Sequence, residues 1–121
     1  MELQFLSQPF SVCKLRDLSC VSLLEPFRFL SVTDDEISLV CPTEAVPADI
    51  VAREDGWRGF RVKGSLDFSL VGVLAQLSSL LANEGISIFA ISTFDTDYIF
   101  TKEAVFDRAA AALADAGFLF S

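Results

Sequence analysis

Between residues 89 and 100 the chain reads FAISTFDTDYIF, two apolar runs separated by Ser92, Thr93, Asp95, Thr96 and Asp97. A tight hairpin needs about two turn residues, so three hydroxyls and two carboxylates exceed what reversing the chain requires. Carboxylates held between two buried strands can accept hydrogen bonds from an ammonium group, and Phe94 beside them can cover an apolar part of a ligand. The same residues are also ordinary turn formers, because short Asp and Thr side chains bond the nearby backbone. A second polar stretch, GSLDFS at residues 64–69, precedes a periodic apolar run. There Ser65 or Asp67 is the natural N-cap of a helix. The amides around Asp67 to Leu70 then offer donors and a favourable dipole to a carboxylate. Acceptors for an ammonium on one element and donors for a carboxylate on another are the two halves of an amino-acid site.

The composition narrows the alternatives. A chain of 121 residues is one domain, or at most two small modules sharing a core. Its 17 acids against 9 bases give a net charge of −8, which disfavours nucleic acid and anionic membranes, where binding neutralises phosphates with Lys and Arg. The hydrophobic fraction is 52% and the mean hydropathy +0.49, yet no apolar run approaches the roughly 18–20 residues that span a bilayer. The opening MELQFLSQPF carries an acid and no basic region, unlike a secretion signal. The expectation is a cytoplasmic protein with some apolar surface buried between subunits.

Histidine is absent, which removes the usual general base, the usual zinc ligand and the Ser–His and Cys–His pairs. An acid–base pair of Asp95 and Asp97 is the catalytic arrangement left, and the chain reads as a binder rather than an enzyme, with no cofactor or metal. Cys13, Cys20 and Cys41 are odd in number and lack CxxC spacing, as expected of reduced, half-buried small hydrophobes.

The elements that must position these groups are clearest in the second half. GWRGFRVKG at 56–64 has the composition of a strand. Leu70, Val73, Leu74, Leu77, Leu80 and Leu81 repeat at helical spacing, with Gly85 at the stop position and Gly72 read as permitting close packing. Residues 86–92 and 97–101 are strands on either side of the polar turn. Thr101 then caps a helix whose apolar face is Val105, Phe106, Ala109, Ala112, Leu113 and Ala116, and FLF closes as a short strand. The order β-α-β-β-α-β is the ferredoxin-like arrangement, an α+β fold with two helices on one face of an antiparallel sheet. In the first half, residues 10–15, 27–33 and 37–42 read as strands, and RDLSCVSLLEP between the first two is too weakly patterned for a full helix.

An internal match links the halves. SVTDDEISLVCPTEAV aligns with ISTFDTDYIFTKEAV: Thr33 falls on Thr93 and Asp35 on Asp95 at an offset of 60, and Glu44-Ala45-Val46 on Glu103-Ala104-Val105 at 59. A strand, polar turn, strand and helix unit occurring twice is the signature of duplication. The expected organisation is therefore two tandem modules, a degenerate one at 1–55 that lacks its first helix and a complete one at 56–121.

Residues 56–117, through GSLDFSLVGVLAQLSSLLANEGISIFAISTFDTDYIFTKE, resemble the ACT domain. They most resemble its branch of CASTOR-type arginine sensors and small bacterial proteins with two ACT-like modules, akin to the ACT modules of aspartokinases. The resemblance implies a regulatory, allosteric fold that pairs side by side as a homodimer and binds an amino acid or similar small polar ligand at a module or subunit interface. It also implies ligand contacts from Ser65, Leu66, Asp67, Phe68 and Ser69 in the first turn and from Thr93, Phe94 and Asp97 in the hairpin, beside Asp95, which the polar turn itself offers as an acceptor for an ammonium. The chain departs from the usual Asp-x-x-Pro-Gly character of that first turn. An association module with no working ligand site, whose output is a protein partner, is the other reading.

Overall fold

In a computed structural model, which describes residues 2–63 and 72–121, the described residues form an α+β fold of eight strands and two α-helices. The strands are β1 (Glu2–Phe5), β2 (Phe10–Leu15), β3 (Phe29–Val32), β4 (Ile37–Pro42), β5 (Ile50–Val62), β6 (Ile88–Ser92), β7 (Asp97–Lys102) and β8 (Leu119–Phe120). The helices are α1 (Val73–Asn83) and α2 (Phe106–Asp115), and single 3₁₀ turns occupy Thr43–Ala45 and Glu103–Val105. The chain divides into a smaller compact unit, Gln8–Trp57, and a larger one, Met1–Ser7 with Arg58–Ser121. β5 gives its first part to the smaller unit and its last residues to the larger.

The smaller unit is an antiparallel sheet in the order β3-β4-β2-β5. Side chains alternate across a strand, so Cys13 and Leu15 of β2 share a face with Leu39 and Cys41 of β4, and these four form its buried cluster. Val21 and Ala45 pack against them from outside the strands. Ser11, on the same face and fully buried, donates to Asp55 Oδ1 at 2.6 Å and lies 2.9 Å from the Thr43 hydroxyl. No α-helix occurs in residues 8–57.

The larger unit is a mixed sheet in the order β6-β7-β5-β1-β8, in which β1 runs antiparallel to β5 and parallel to β8. Read from β5 onward the elements run β-α-β-β-α-β, with β1 inserted between the first and last of those strands. Leu3, Phe60, Val62 and Ile99 point from the sheet into one core with Leu77 and Leu81 of α1 and Phe106, Ala109 and Leu113 of α2. The i, i+3, i+7 spacing of the α2 residues is the stripe its sequence shows. On the opposite face Gly59 lies under the ring of Phe100, which is fully buried and stacks on Phe89 at 4.7 Å.

Three local expectations change. α1 begins at Val73 with Gly72 as its N-cap at φ 86, and a Cβ at Gly72 would meet nothing within 4 Å. That glycine supplies a left-handed residue, not close packing, while Ser65, Asp67 and Leu70 lie outside the described residues. Thr101 is not a helix cap: it is buried within β7, a 3₁₀ turn intervenes, and α2 has Val105 as an N-cap without a side-chain bond. The strand expected at 56–64 reaches back to Ile50.

Candidate ligand cleft in the larger unit

Every residue along β5 after Gly59 alternates sharply: Phe60 and Val62 are buried in the helix-facing core, which turns Arg61 and Lys63 to the other face. Gln4 of β1 is the register partner of Arg61. Its amide oxygen accepts from Arg61 Nε at 2.9 Å, and Tyr98 of β7 accepts from an Arg61 terminal nitrogen at 3.1 Å. The guanidinium also lies 5.9 Å from the Tyr98 ring centroid. Two neutral acceptors on flanking strands thus hold the plane of the cation in place. Lys63 pairs with Glu2 at 3.4 Å, both half-exposed, where such a pair is weak.

The hairpin between β6 and β7 supplies the other wall. Thr93 closes it twice over: its amide donates to the Thr96 carbonyl at 2.8 Å and its hydroxyl to the same oxygen at 3.0 Å. Thr96 then donates its own hydroxyl to the Val62 carbonyl at 2.7 Å, tying the turn to β5. The result is an open cleft of about 400 Å³ lined by Gln4, Arg61, Lys63, Thr93, Asp95 and Tyr98 among others. Cations and a carboxylate thus line the same cleft. Asp95 is exposed and makes no hydrogen bond or ion pair among the described residues. Such a cleft can hold a small zwitterion, its carboxylate on Arg61 and Lys63 and its ammonium on Asp95.

The residues singled out from the sequence fall in different places. Thr93 and Asp95 line the cleft. Phe94 is 85% exposed at the turn. Asp97 accepts from Ser92 at 2.6 Å across the base of the hairpin. Ser65, Leu66, Asp67, Phe68 and Ser69 lie outside the described residues. Arg61, Gln4, Lys63 and Tyr98 were not singled out, because alternating polar residues in a strand read as its solvent side. Among the described residues no group of three His, Cys, Asp or Glu is placed to hold a metal ion, and no helix is long and apolar enough to cross a membrane.

A sheet backed on one face by two helices, read from β5 onward as β-α-β-β-α-β, defines a ferredoxin-like class of fold. The chain belongs to the ACT domain family, whose model matches residues 52–115. Among solved structures it is similar to the protein Atu0741 from Agobacterium tumefaciens, at 29% identity and a TM-score of 0.85, covering 99% of this chain and 91% of that one. It is also similar to VC0802 from Vibrio cholerae, described as a protein of unknown function, at 22% identity and a TM-score of 0.70, over 92% and 85% of the two chains. At 12% identity it shares the fold of aspartate kinase from Clostridium acetobutylicum, described as an allosteric enzyme, with a TM-score of 0.66 over 90% of this chain and 33% of the kinase. Among curated proteins none matches the chain.

Proposed function

We propose that the chain is a regulatory ACT protein that binds an amino acid or a similar small zwitterion in the cleft of Arg61, Lys63 and Asp95. The observation that carries this is the charge of the lining, a braced guanidinium and an unengaged carboxylate in one cleft. Ser65 to Ser69 remain proposed contacts, since they follow Lys63 by two residues in the chain. The chain acts by population shift: a ligand that binds one arrangement better enriches it, and a partner senses the change. The aspartate kinase that shares the fold is described as an allosteric enzyme, and allosteric regulation is carried here as part of the proposal, with a cytoplasmic homodimer as its setting. Two tandem modules, the first without its first helix, complete the proposal, supported by the repeat of elements sixty residues apart (Ile37–Pro42 and Asp97–Lys102, Thr43–Ala45 and Glu103–Val105).

The test is a thermal-shift screen of the purified chain against the twenty amino acids. A ligand at 100 times its Kd stabilises by about 2.7 kcal/mol. One or a few amino acids should raise the midpoint, and the rise should vanish in Arg61→Gln and in Asp95→Asn. A flat screen at millimolar concentrations refutes the ligand site. It would leave the association module, which the exposed Leu24 at 96% and Phe94 favour.

A further inference from the structure

The sheet of the smaller unit has an apolar face but no helix of its own to lay on it. Register pairs place Cys13, Leu30 and Leu39 side by side on that face, and Leu15, Val32 and Ile37 next to them. Sixty residues later Ile99 stands in the place of Leu39, and it points into the core formed with α1 and α2. No α-helix occurs in residues 8–57, and irregular segments cover the face instead. Val21 packs on it from residues 16–28, and Ala45 and Val46 from the turn after β4.

That cover stops short. Val32, on the end strand β3, is 60% exposed, and its register partner Ile37 is only half-buried. The positions sixty residues on are Ser92 and Asp97, a polar pair joined by a 2.6 Å hydrogen bond. Water suits that pair, whereas Val32 and Ile37 turn apolar groups toward solvent at the same corner of the sheet. The segment that carries Val21 also exposes Leu18, Leu23 and, almost wholly, Leu24. Apolar side chains left beside an uncovered part of a sheet and rimmed by charge mark a surface that another molecule covers.

The charge selects the occupant. Residues 8–57 hold nine acids against four bases, a net charge of −5. Arg16, Arg28 and Arg53 are paired with Asp49, Glu25 and Asp55, and Lys14, between Cys13 and Leu15, points to the other face of β2. Asp34, Asp35 and Glu36 follow within four residues of Val32 and are exposed. Two such surfaces brought together repel, so a second copy of this chain is a poor occupant. An amphipathic helix is the covering that the larger unit uses for the corresponding face. We propose that this face of the smaller unit docks a basic amphipathic helix of a partner protein, its apolar stripe on Leu24, Val32 and Ile37 and its lysines or arginines against Asp34, Asp35 and Glu36. The proposal asks nothing of the Arg61 cleft and stands whether or not that cleft takes a ligand.

The probe is a synthetic amphipathic helix of leucine and lysine, about 18 residues long so that it can fold, titrated into the full chain by calorimetry. It should bind saturably at one site per chain. Leu24→Ser and Val32→Thr, both at exposed positions, should each weaken it about tenfold, as loss of an apolar anchor does. Leu119→Ser, at an exposed leucine of the larger unit, should leave it unchanged. The same helix with glutamate in place of lysine should not bind. Binding of the lysine helix that is indifferent to Leu24→Ser and Val32→Thr is general attraction to an acidic chain and overturns the proposal, as does no binding at millimolar peptide. Equal binding of the glutamate helix overturns the charge argument and with it the basic partner. A dimer in sedimentation that Leu24→Ser or Val32→Thr dissociates assigns the face to a second copy and overturns the partner helix.

Discussion

Replacing Gly59 by alanine tests how tightly the sheet face opposite the helices is packed. A Cβ at Gly59 would stand 2.7 Å from Phe100 Cε1, 2.8 Å from Cδ1 and 3.3 Å from Leu6 Cδ1. The obstacle is not the free end of a flexible side chain. Phe100 is fully buried and stacked on Phe89 with an interplanar angle of 11°, so relief requires the pair to move together. Overpacking of this kind costs about 1–3 kcal/mol. Gly59 is not among the residues with positive φ, so alanine also stiffens the unfolded chain, a gain of about 0.4–1 kcal/mol. The net loss is about 1–2 kcal/mol, or about 4–8 °C in Tm for a chain of this length. Thermal and urea unfolding by circular dichroism measure it. Adding Phe100→Leu to Gly59→Ala should recover about 1 kcal/mol relative to the sum of the single changes, since the two sites share one volume. An alanine variant as stable as the parent, or additive behaviour in the double, would show that the ring does not press on Gly59.

The buried hydroxyl of Ser11 gives a second prediction: Asp55→Ala should cost about 1–2 kcal/mol in urea unfolding, and Asp55→Asn less, because the amide oxygen still accepts the 2.6 Å bond; equal losses would deny the bond its role. Burial, reinforced by the neighbouring Cys13 thiol, pushes Cys41 from its ordinary 9.0 up to about 11. The native state then keeps a proton that the unfolded chain releases first, so stability should be full below pH 9 and fall as pH rises from 9 to 11. The fall should be shallower in Cys41→Ala, and an unchanged slope there would remove Cys41 as its source. With Cys13 and Cys41 buried and Cys20 exposed, a thiol-specific disulfide reagent should modify one thiol rapidly in the native protein and the other two only on unfolding; two fast thiols would refute that arrangement.

Periodicity made α2 and the hairpin strands legible, because Phe106, Ala109 and Leu113 recur at the helical repeat and 88–92 and 97–102 flank an obvious polar turn. Its limits are as specific. IVARED at 50–55 continues β5 although three of its six residues are charged, because pairing with β2 across Val12, Cys13 and Lys14 outweighs local preference. Residues 2–5 are too short to signal a strand and owe their pairing to β5 and β8, distant in sequence. The start of α1 hinges on a left-handed glycine that composition alone reads as a packing site. Half of the candidate cleft was visible as the hydroxyls and carboxylates of the hairpin. The other half, Arg61 with Gln4 and Tyr98, arises only when three strands are laid side by side, and no spacing in one strand encodes it.

The insertion of β1 between β5 and β8 sets an order of events during synthesis. β1 leaves the ribosome before residues 8–57, yet both strands that flank it are made afterwards, and β8 comes last of all. The smaller unit can close while β1 still has no neighbour on either side, whereas the larger unit is a nested structure that cannot be sealed until β8 emerges. Its early strand is therefore held in waiting, exposed to any other chain that offers an edge. A permuted chain that places residues 2–7 after β8, through a linker long enough to cross back for the parallel pairing, would abolish that wait and keep the same strand neighbours.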